Sequence, residues 1–338
     1  MLTFVCCVEY GRLEQQTLLM IESLRTFGGD LSSSRLLAVK GRRGPALMPS
    51  TLRAFDRLNV EFVEAKEGEN PHPWLNYTNK VVAVKTAERM ANTDTVAWLD
   101  SDIFVLGGMS HLLLNDNEDF TARREWLPPA MFKSDAHFEP YWRDVCQLLG
   151  TSLKDMPWLA TDGRREEQLA YFNSGLFSWR RGSGFADAYQ SAFSTLLRSK
   201  LATPEGQFFT ADQVVLSPII TRLGLRWREL GPDEHNMVFQ GLITGPAAAP
   251  SMSKSSVVHY SRSMEHPYRE AFMQRLVAER QEFANWLKSY FAAQETINSS
   301  TISTKKIFAK ALRIARGAQY RLFDRATVRS KSGRVNDT

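Results

Sequence analysis

The chain has 338 residues, 43% of them hydrophobic and 23% charged, with 20 Gly and 14 Pro. Such values exclude collagen-like, coiled-coil and wholly disordered chains, and the length suits one large domain or two modest ones. The net charge of +5 is concentrated at one end: residues 301–338 carry ten basic against two acidic residues, while the first 300 carry 32 against 35, so no nucleic-acid-binding body is expected.

Residues 2–8 read as a short buried strand. The opening MLTFVCCVEYGR is too briefly apolar and lacks the basic flank of a signal peptide, so a cytoplasmic location is expected. Three cysteines, two adjacent at Cys6 and Cys7, make neither a disulfide framework nor a four-ligand zinc site. Helical spacing follows over 13–27, stopped by Gly28-Gly29, then buried strands at 36–39 and 60–63 around a helix near 51–58. A helix over 79–90 and a strand over 95–99 complete a β-α-β-α-β-α-β order, which predicts an α/β protein with a mainly parallel sheet covered on both faces. Glu9-Tyr10-Gly11 follows the first strand where a Gly-rich phosphate loop would stand, excluding the dinucleotide and P-loop patterns.

From 120 to 169 the pattern is irregular and aromatic, with Trp126, Tyr141, Trp142 and Trp158. Order returns with a strand at 172–179, helices at 185–197 and 211–223, strands at 225–228 and 256–260, and one long helix at 267–291. No window approaches 18 uncharged apolar residues, so no membrane span is expected. A polar linker, 294–304, precedes a basic tail, 305–338. In that tail Phe308, Ala311, Leu312, Ala315, Ala318 and Leu322 form a helical stripe with Lys306, Lys310, Arg313, Arg316 and Arg321 largely off it. Such a helix is expected to lie on an anionic membrane through 305–325, each near-surface cation adding about 1 kcal/mol. A helix packed on its own domain, or a solvated end, is the plain alternative.

The sharpest chemical feature is Val96-Ala97-Trp98-Leu99-Asp100-Ser101-Asp102-Ile103-Phe104-Val105, an apolar run broken by two carboxylates. In an extended segment residues i and i+2 project to one side, so Asp100 and Asp102 are expected to face one point. Two buried like charges are unfavourable unless something positive lies between them, and a divalent cation about 2.0–2.2 Å from such oxygens would meet that need. A carboxylate pair capping a turn is the bland alternative. Strand ends of open α/β sheets are also where ligands bind.

Three further pieces follow in order: Phe172-Asn173-Ser174-Gly175 entering a strand, Ala211-Asp212-Gln213 opening a helix, and Val258-His259-Tyr260 ending a strand. Singly, Asn173 suits a turn, Asp212 an N-cap, and His259 a satisfied core histidine. Together over residues 1–290 they resemble the glycosyltransferases of the GT-A fold, most closely retaining family 8 and its relatives. The resemblance implies transfer of a sugar from a nucleotide-diphosphate donor, with UDP favoured, to an acceptor hydroxyl. It implies a metal, Mn²⁺ or Mg²⁺, held by Asp100, Asp102 and His259. Asn173, Asp212 and Gln213 would flank the sugar as catalytic residues, Gln213 on the face opposite the leaving group. Glu9, Tyr10, Lys80, Asp100, Ser101, Asn173 and His266 would bind the donor. Tyr10 then stacks on a base or merely closes a surface turn; Lys80 or its neighbour Lys85 meets the donor, or both face solvent.

One departure is plain: His266-Pro267-Tyr268 stands where the family has Lys-Pro-Trp, so Arg262 or His266 is left to supply the missing positive charge. The aromatic stretch 120–169 is the expected site for a saccharide or glycolipid acceptor, in envelope glycan or glycolipid synthesis. Two other readings stay open. A nucleotide-sugar-forming nucleotidyltransferase would need a Gly-rich, Arg-containing loop that Glu9-Tyr10-Gly11-Arg12-Leu13 lacks. A non-catalytic glycan- or membrane-binding protein would have no need to keep buried carboxylates.

Overall fold

The computed structural model describes residues 1–66, 68–161, 166–199, 201, 210–244, 250–297, 316, 318 and 319. Strands β1 (Leu2–Cys7), β2 (Leu36–Lys40), β3 (Val60–Glu64) and β4 (Thr95–Leu99) alternate with helices α1 (Arg12–Phe27), α2 (Pro49–Arg57) and α3 (Thr78–Met90). After β5 (Ile103–Val105) and β6 (Phe120–Arg124) come α4 (Glu139–Leu148), the hairpin strands β7 (Trp158–Ala160) and β8 (Glu167–Leu169), and the long β9 (Phe172–Arg180). The remainder runs α5 (Phe185–Leu197), α6 (Ala211–Val214), α7 (Leu216–Leu223), β10 (Trp227–Glu229), β11 (Asn236–Met237), α8 (Val238–Thr244), β12 (Val257–His259), α9 (Arg269–Glu279) and α10 (Gln281–Ile297).

A 7-stranded sheet has the order β10-β6-β9-β4-β1-β2-β3. All neighbours run parallel except β9, which is antiparallel to both β4 and β6. Alternating side chains feed two cores, as the strand pleat requires. Val5, Leu37, Val39, Val96 and Trp98 pack with α3 and α5 on one face. Phe4, Cys6, Leu36, Ala38, Ala97 and Leu99 pack with Met20, Ile21 and Leu24 of α1 and Phe55 of α2 on the other. Burial on both faces explains why these strands read as continuous apolar runs.

A second sheet, β11-β12-β5, lies beyond the end of β4. It rests on a third core in which Phe104, Val258 and Tyr260 meet Phe272 and Leu276 of α9 and Phe283, Ala284 and Leu287 of α10.

Several sequence expectations need correction. The segment expected to stay extended through the two Asp residues turns instead: β4 and β5 lie in different sheets, with Ser101 and Asp102 in a turn between them. The expected single helix over 267–291 is α9 and α10, broken at Arg280, whose φ of −144° and ψ of 58° leave the helical region. Because α10 continues to Ile297, the first four residues of the expected linker 294–304 are helical. The irregular stretch after β6 holds α4 and the β7–β8 hairpin. Of the basic tail, Arg316, Ala318 and Gln319 are helical; the rest of 305–338 lies outside the described residues. Among the described residues, no helix is long and apolar enough to cross a membrane.

Candidate active site

The ladder between β4 and β9 pairs Leu99 with Leu176 and ends on the amide of Asp100, which donates to the carbonyl of Gly175 at 2.8 Å. The chain then turns into β5. Antiparallel pairing sets His259 opposite Ile103, and the Tyr260 amide donates to the Asp102 carbonyl at 3.0 Å. Register alone therefore carries His259 to Asp102, with Nε2 3.2 Å from Oδ1. One ligand atom from each of Asp100, Asp102 and His259 falls within a 4.8 Å cluster. The carboxylates converge through a turn rather than through strand alternation. Ser101, between them, is buried.

Gly175 makes this convergence possible. A Cβ there would lie 2.3 Å from His259 Cε1 and 2.6 Å from its Nδ1. Behind the imidazole, buried His235 stacks at 5.5 Å with its Nε2 3.4 Å from His259 Nδ1. That contact engages Nδ1 and leaves Nε2 directed at Asp102. Burial, and then the His259 charge, hold His235 well below the ordinary imidazole range, so it is neutral. An oriented Asp-Asp-His set of O and N donors, backed by a neutral hydrogen-bonding imidazole, fits a divalent cation such as Mn²⁺ or Mg²⁺.

The protein also places its own cation here. Lys80, in the first turn of α3, points its Nζ at Asp212 Oδ2 (2.8 Å), Asp100 Oδ2 (3.2 Å), and the carbonyl and Oγ of Ser174 (both 2.9 Å). Burial opposes its charge, but Asp100 and Asp212 more than offset that and raise its pKa above the ordinary lysine value. Burial raises the Asp100 carboxyl to about 6, with Lys80 acting against the shift and Asp102 adding to it. At Asp102 burial is outweighed by the charge and hydrogen bond of His259, and the carboxyl stays below its ordinary value. His259 answers in kind: burial lowers it, Asp102 raises it further, and the net shift is upward. Trp98 fixes the other Asp100 oxygen, donating from Nε1 at 2.8 Å.

The three residues expected to flank a sugar lie side by side, each held by the fold. Asn173 donates from Nδ2 to Glu125 Oε2 at 2.7 Å and accepts from the Gly175 amide at 2.8 Å. Gln213 accepts from the Ser174 amide at 3.1 Å and donates to the Tyr171 hydroxyl at 2.6 Å. Asp212 engages Ser174 and Lys80 through Oδ2. Its short helix α6 packs against α5, α3 and β9, which aims it at Ser174.

Two expected donor residues are placed differently. Both carboxylate oxygens of Glu9 are taken by buried Arg42, at 2.7 and 2.6 Å. Tyr10, next to it, is half-buried. His266 is exposed, and among the described contacts it has none to the carboxylate cluster; its neighbour Glu265 pairs with Arg12 at 2.6 Å. Lys85 is turned away to pair with Asp187.

Sequence reasoning missed Arg42, Glu125, Tyr171 and His235. Glu125 carries the least signal, since Arg123-Arg124-Glu125 reads as a solvated charge run. It is in fact 4% exposed, with Oε1 accepting from the amides of Trp126 (2.7 Å) and Leu127 (3.1 Å). Of the aromatics, Trp142 is a core residue, fully buried, donating to the Pro129 carbonyl at 2.8 Å and packed edge-on against Tyr171. Trp126 and Trp158 remain half-buried.

A mainly parallel sheet with helices on both faces, and carboxylates gathered at the end of its central strand, is the arrangement of the GT-A fold. The chain belongs to the Rhodobacterales glycosyltransferase domain family, whose pattern matches residues 4–224. Its fold is similar to that of the galactosyltransferase LgtC, solved with donor and acceptor sugar analogues, at 14% identity over 82% of this chain and 96% of that one, with a TM-score of 0.50. The glycosyltransferase GlyE of Streptococcus pneumoniae aligns at 14% identity over 85% of this chain and 63% of that one, with a TM-score of 0.48. Among curated proteins none matches this chain in sequence.

Proposed function

We propose that this glycosyltransferase moves a sugar from a nucleoside-diphosphate donor, with UDP favoured, to the hydroxyl of a saccharide or glycolipid acceptor, with retention at the anomeric carbon. The observation that carries the reading is the convergence of Asp100, Asp102 and His259 beside Lys80. A divalent ion held there would supply Lewis-acid stabilisation for the charge of the departing diphosphate.

The chain's own residues account for the rest. Lys80 sets the spacing between the donor end and the sugar end of the site by holding Asp100 and Asp212 on one ammonium. Asp212 keeps Oδ1 for sugar hydroxyls, since its described contacts use Oδ2. Asn173 and Gln213 border the sugar as rigid polar walls. Both ends of the Gln213 amide are engaged by protein, and an amide is a weak nucleophile. That favours a front-face route in which the acceptor proton passes to the departing phosphate while the acceptor oxygen bonds the anomeric carbon.

We further propose that residues 305–325 hold the enzyme peripherally on the inner face of an anionic membrane, where it extends envelope glycan or glycolipid. The basic stripe of the sequence motivates this.

Release of UDP from a panel of UDP-sugars, measured with Mn²⁺, with EDTA and in Asp102→Ala, tests the donor reading. Metal-dependent release abolished by the substitution is expected. Release that persists undiminished in EDTA and in Asp102→Ala would overturn it. The anomeric configuration of the first product, read by NMR, tests retention.

A further inference from the structure

A cleft of ≈ 550 Å³ opens beside the β7–β8 hairpin, away from the carboxylate cluster. Phe132 and Trp158 are the aromatic members of its lining, and Lys133, Arg143, Lys154 and Glu139 the charged ones. The volume falls within the about 300–1,000 Å³ typical of small-molecule sites. Its charges are unequal. Glu139 pairs with Arg143, and Lys133 pairs with Glu167 while lying 5.4 Å over the Trp158 ring. Lys154 is exposed and has no carboxylate partner among the described residues, so the cleft presents a positive charge next to aromatic surface.

The cleft is also joined to the sugar end of the active site by backbone pairing. Lys133 donates its amide to the Glu167 carbonyl (3.0 Å), Leu169 donates to the Met131 carbonyl (2.9 Å), and Phe132 bridges Gln168. Gln168 Nε2 in turn donates to the Glu125 carbonyl at 2.5 Å, and Glu125 holds Asn173. On the same side Trp126, directly after Glu125, stacks on Phe132 with centroids 6.1 Å apart. A chain of contacts therefore runs from Asn173 through Glu125, Gln168 and Trp126 to Phe132 in the cleft wall.

We infer that this cleft is an acceptor subsite for an acidic saccharide. It would hold a sugar unit remote from the reacting hydroxyl, with the unit's apolar face on Trp158 or Phe132 and its carboxylate or phosphate at Lys154. This rests on the glycosyltransferase reading for its role as an acceptor subsite, while the binding itself is independent of the donor. A neutral sugar would gain from the aromatic faces alone; an anion gains from Lys154 as well.

The test is a tryptophan-fluorescence titration of the full chain at low ionic strength with tetragalacturonate, mannose 6-phosphate and maltotetraose. At least one anionic probe should bind about tenfold or more tightly than neutral maltotetraose, and Lys154→Glu should remove that margin. Tetragalacturonate alone would assign a carboxylate-bearing unit, and mannose 6-phosphate alone a phosphate-bearing one. Circular dichroism checks that the variant is folded, and Lys154→Gln should show an intermediate loss. Equal binding of maltotetraose, or anion binding undiminished in Lys154→Glu because it resides on the basic tail, would overturn the inference. UDP titrated with Mn²⁺ into the same two variants should match the unsubstituted chain. If UDP fails to bind everywhere while the saccharide results hold, the donor reading falls and the saccharide site stands.

Discussion

Lys80 and Asp212 form a buried ion pair, Nζ to Oδ2 2.8 Å apart, with side chains only 10% and 7% exposed. The same ammonium reaches Asp100, so a helix at one edge of the site and a strand end at the other share one cation. Removing it leaves two carboxylates facing each other with burial uncompensated. Lys80→Met is expected to cost about 3–5 kcal/mol of stability, the usual loss when one member of a buried pair is deleted. Donor binding should weaken with it. Urea denaturation and nucleotide titration check this; an unchanged denaturation midpoint would contradict the bridging role.

Gly175→Ala probes the contact between β9 and the imidazole. The added methyl would stand 2.3 Å from His259 Cε1, closer than any ordinary contact. Either His259 swings off Asp102 or β9 shifts, at a cost of roughly 1–3 kcal/mol. Metal-dependent nucleotide binding should fall by at least about tenfold, while the fold survives in circular dichroism. Wild-type metal affinity in this variant would contradict the expected displacement of His259.

The stability of the protein should fall in mild acid, partly through His72. Burial first, and then the Arg198 charge, lower this imidazole to about 4. The unfolded chain takes up the proton below about 6.5, whereas the folded chain stays neutral there until about 4. The unfolded state thus binds more protons between those values, and stability declines as pH falls through the window. His72→Gln should remove on the order of 1–3 kcal/mol of the difference in unfolding free energy between pH 7 and pH 4.5. Parallel pH profiles for the two proteins would refute the assignment.

Two segments at the end of the chain carry separate predictions. Phe283 of α10 is 3% exposed and packs at 5.2 Å against Phe27 and 5.1 Å against Phe104. Phe283→Ala should therefore destabilise the enzyme by about 3–5 kcal/mol. Arg316, by contrast, reaches the body through Nη2 to the Arg43 carbonyl at 2.5 Å. Deleting residues 301–338 should abolish co-sedimentation with anionic vesicles and leave turnover of soluble donor intact. A truncated enzyme that still sediments would place the membrane contact elsewhere.

The parallel half of the fold was legible because β1, β2 and β4 are buried on both faces and so appear as unbroken apolar runs. Beyond β6 that signal disappears: β7 and β8 are three-residue strands in their own small sheet, too short to show a period. The site was legible where a side chain's chemistry conflicts with its apolar neighbours, as at Asp100, Asp102 and His259. It was hidden where tertiary contacts resolve the conflict. Arg42 looks like one of several loop cations until Glu9 is seen folded onto it. His235 lies in a turn before the two-residue β11 and becomes meaningful only beneath His259. Glu125 is stabilised by main-chain amides, which no residue pattern announces.

The proposed function depends first on a metal-dependent nucleotide site at the end of β4. Calorimetric titration of UDP, and of GDP for comparison, into the purified protein with Mn²⁺ or with EDTA addresses it most directly. Binding should need the ion and vanish in Asp102→Ala, whose side chain is 28% exposed and so removable without a core defect. Absence of binding by either nucleotide with Mn²⁺, in a protein shown to be folded, would contradict it.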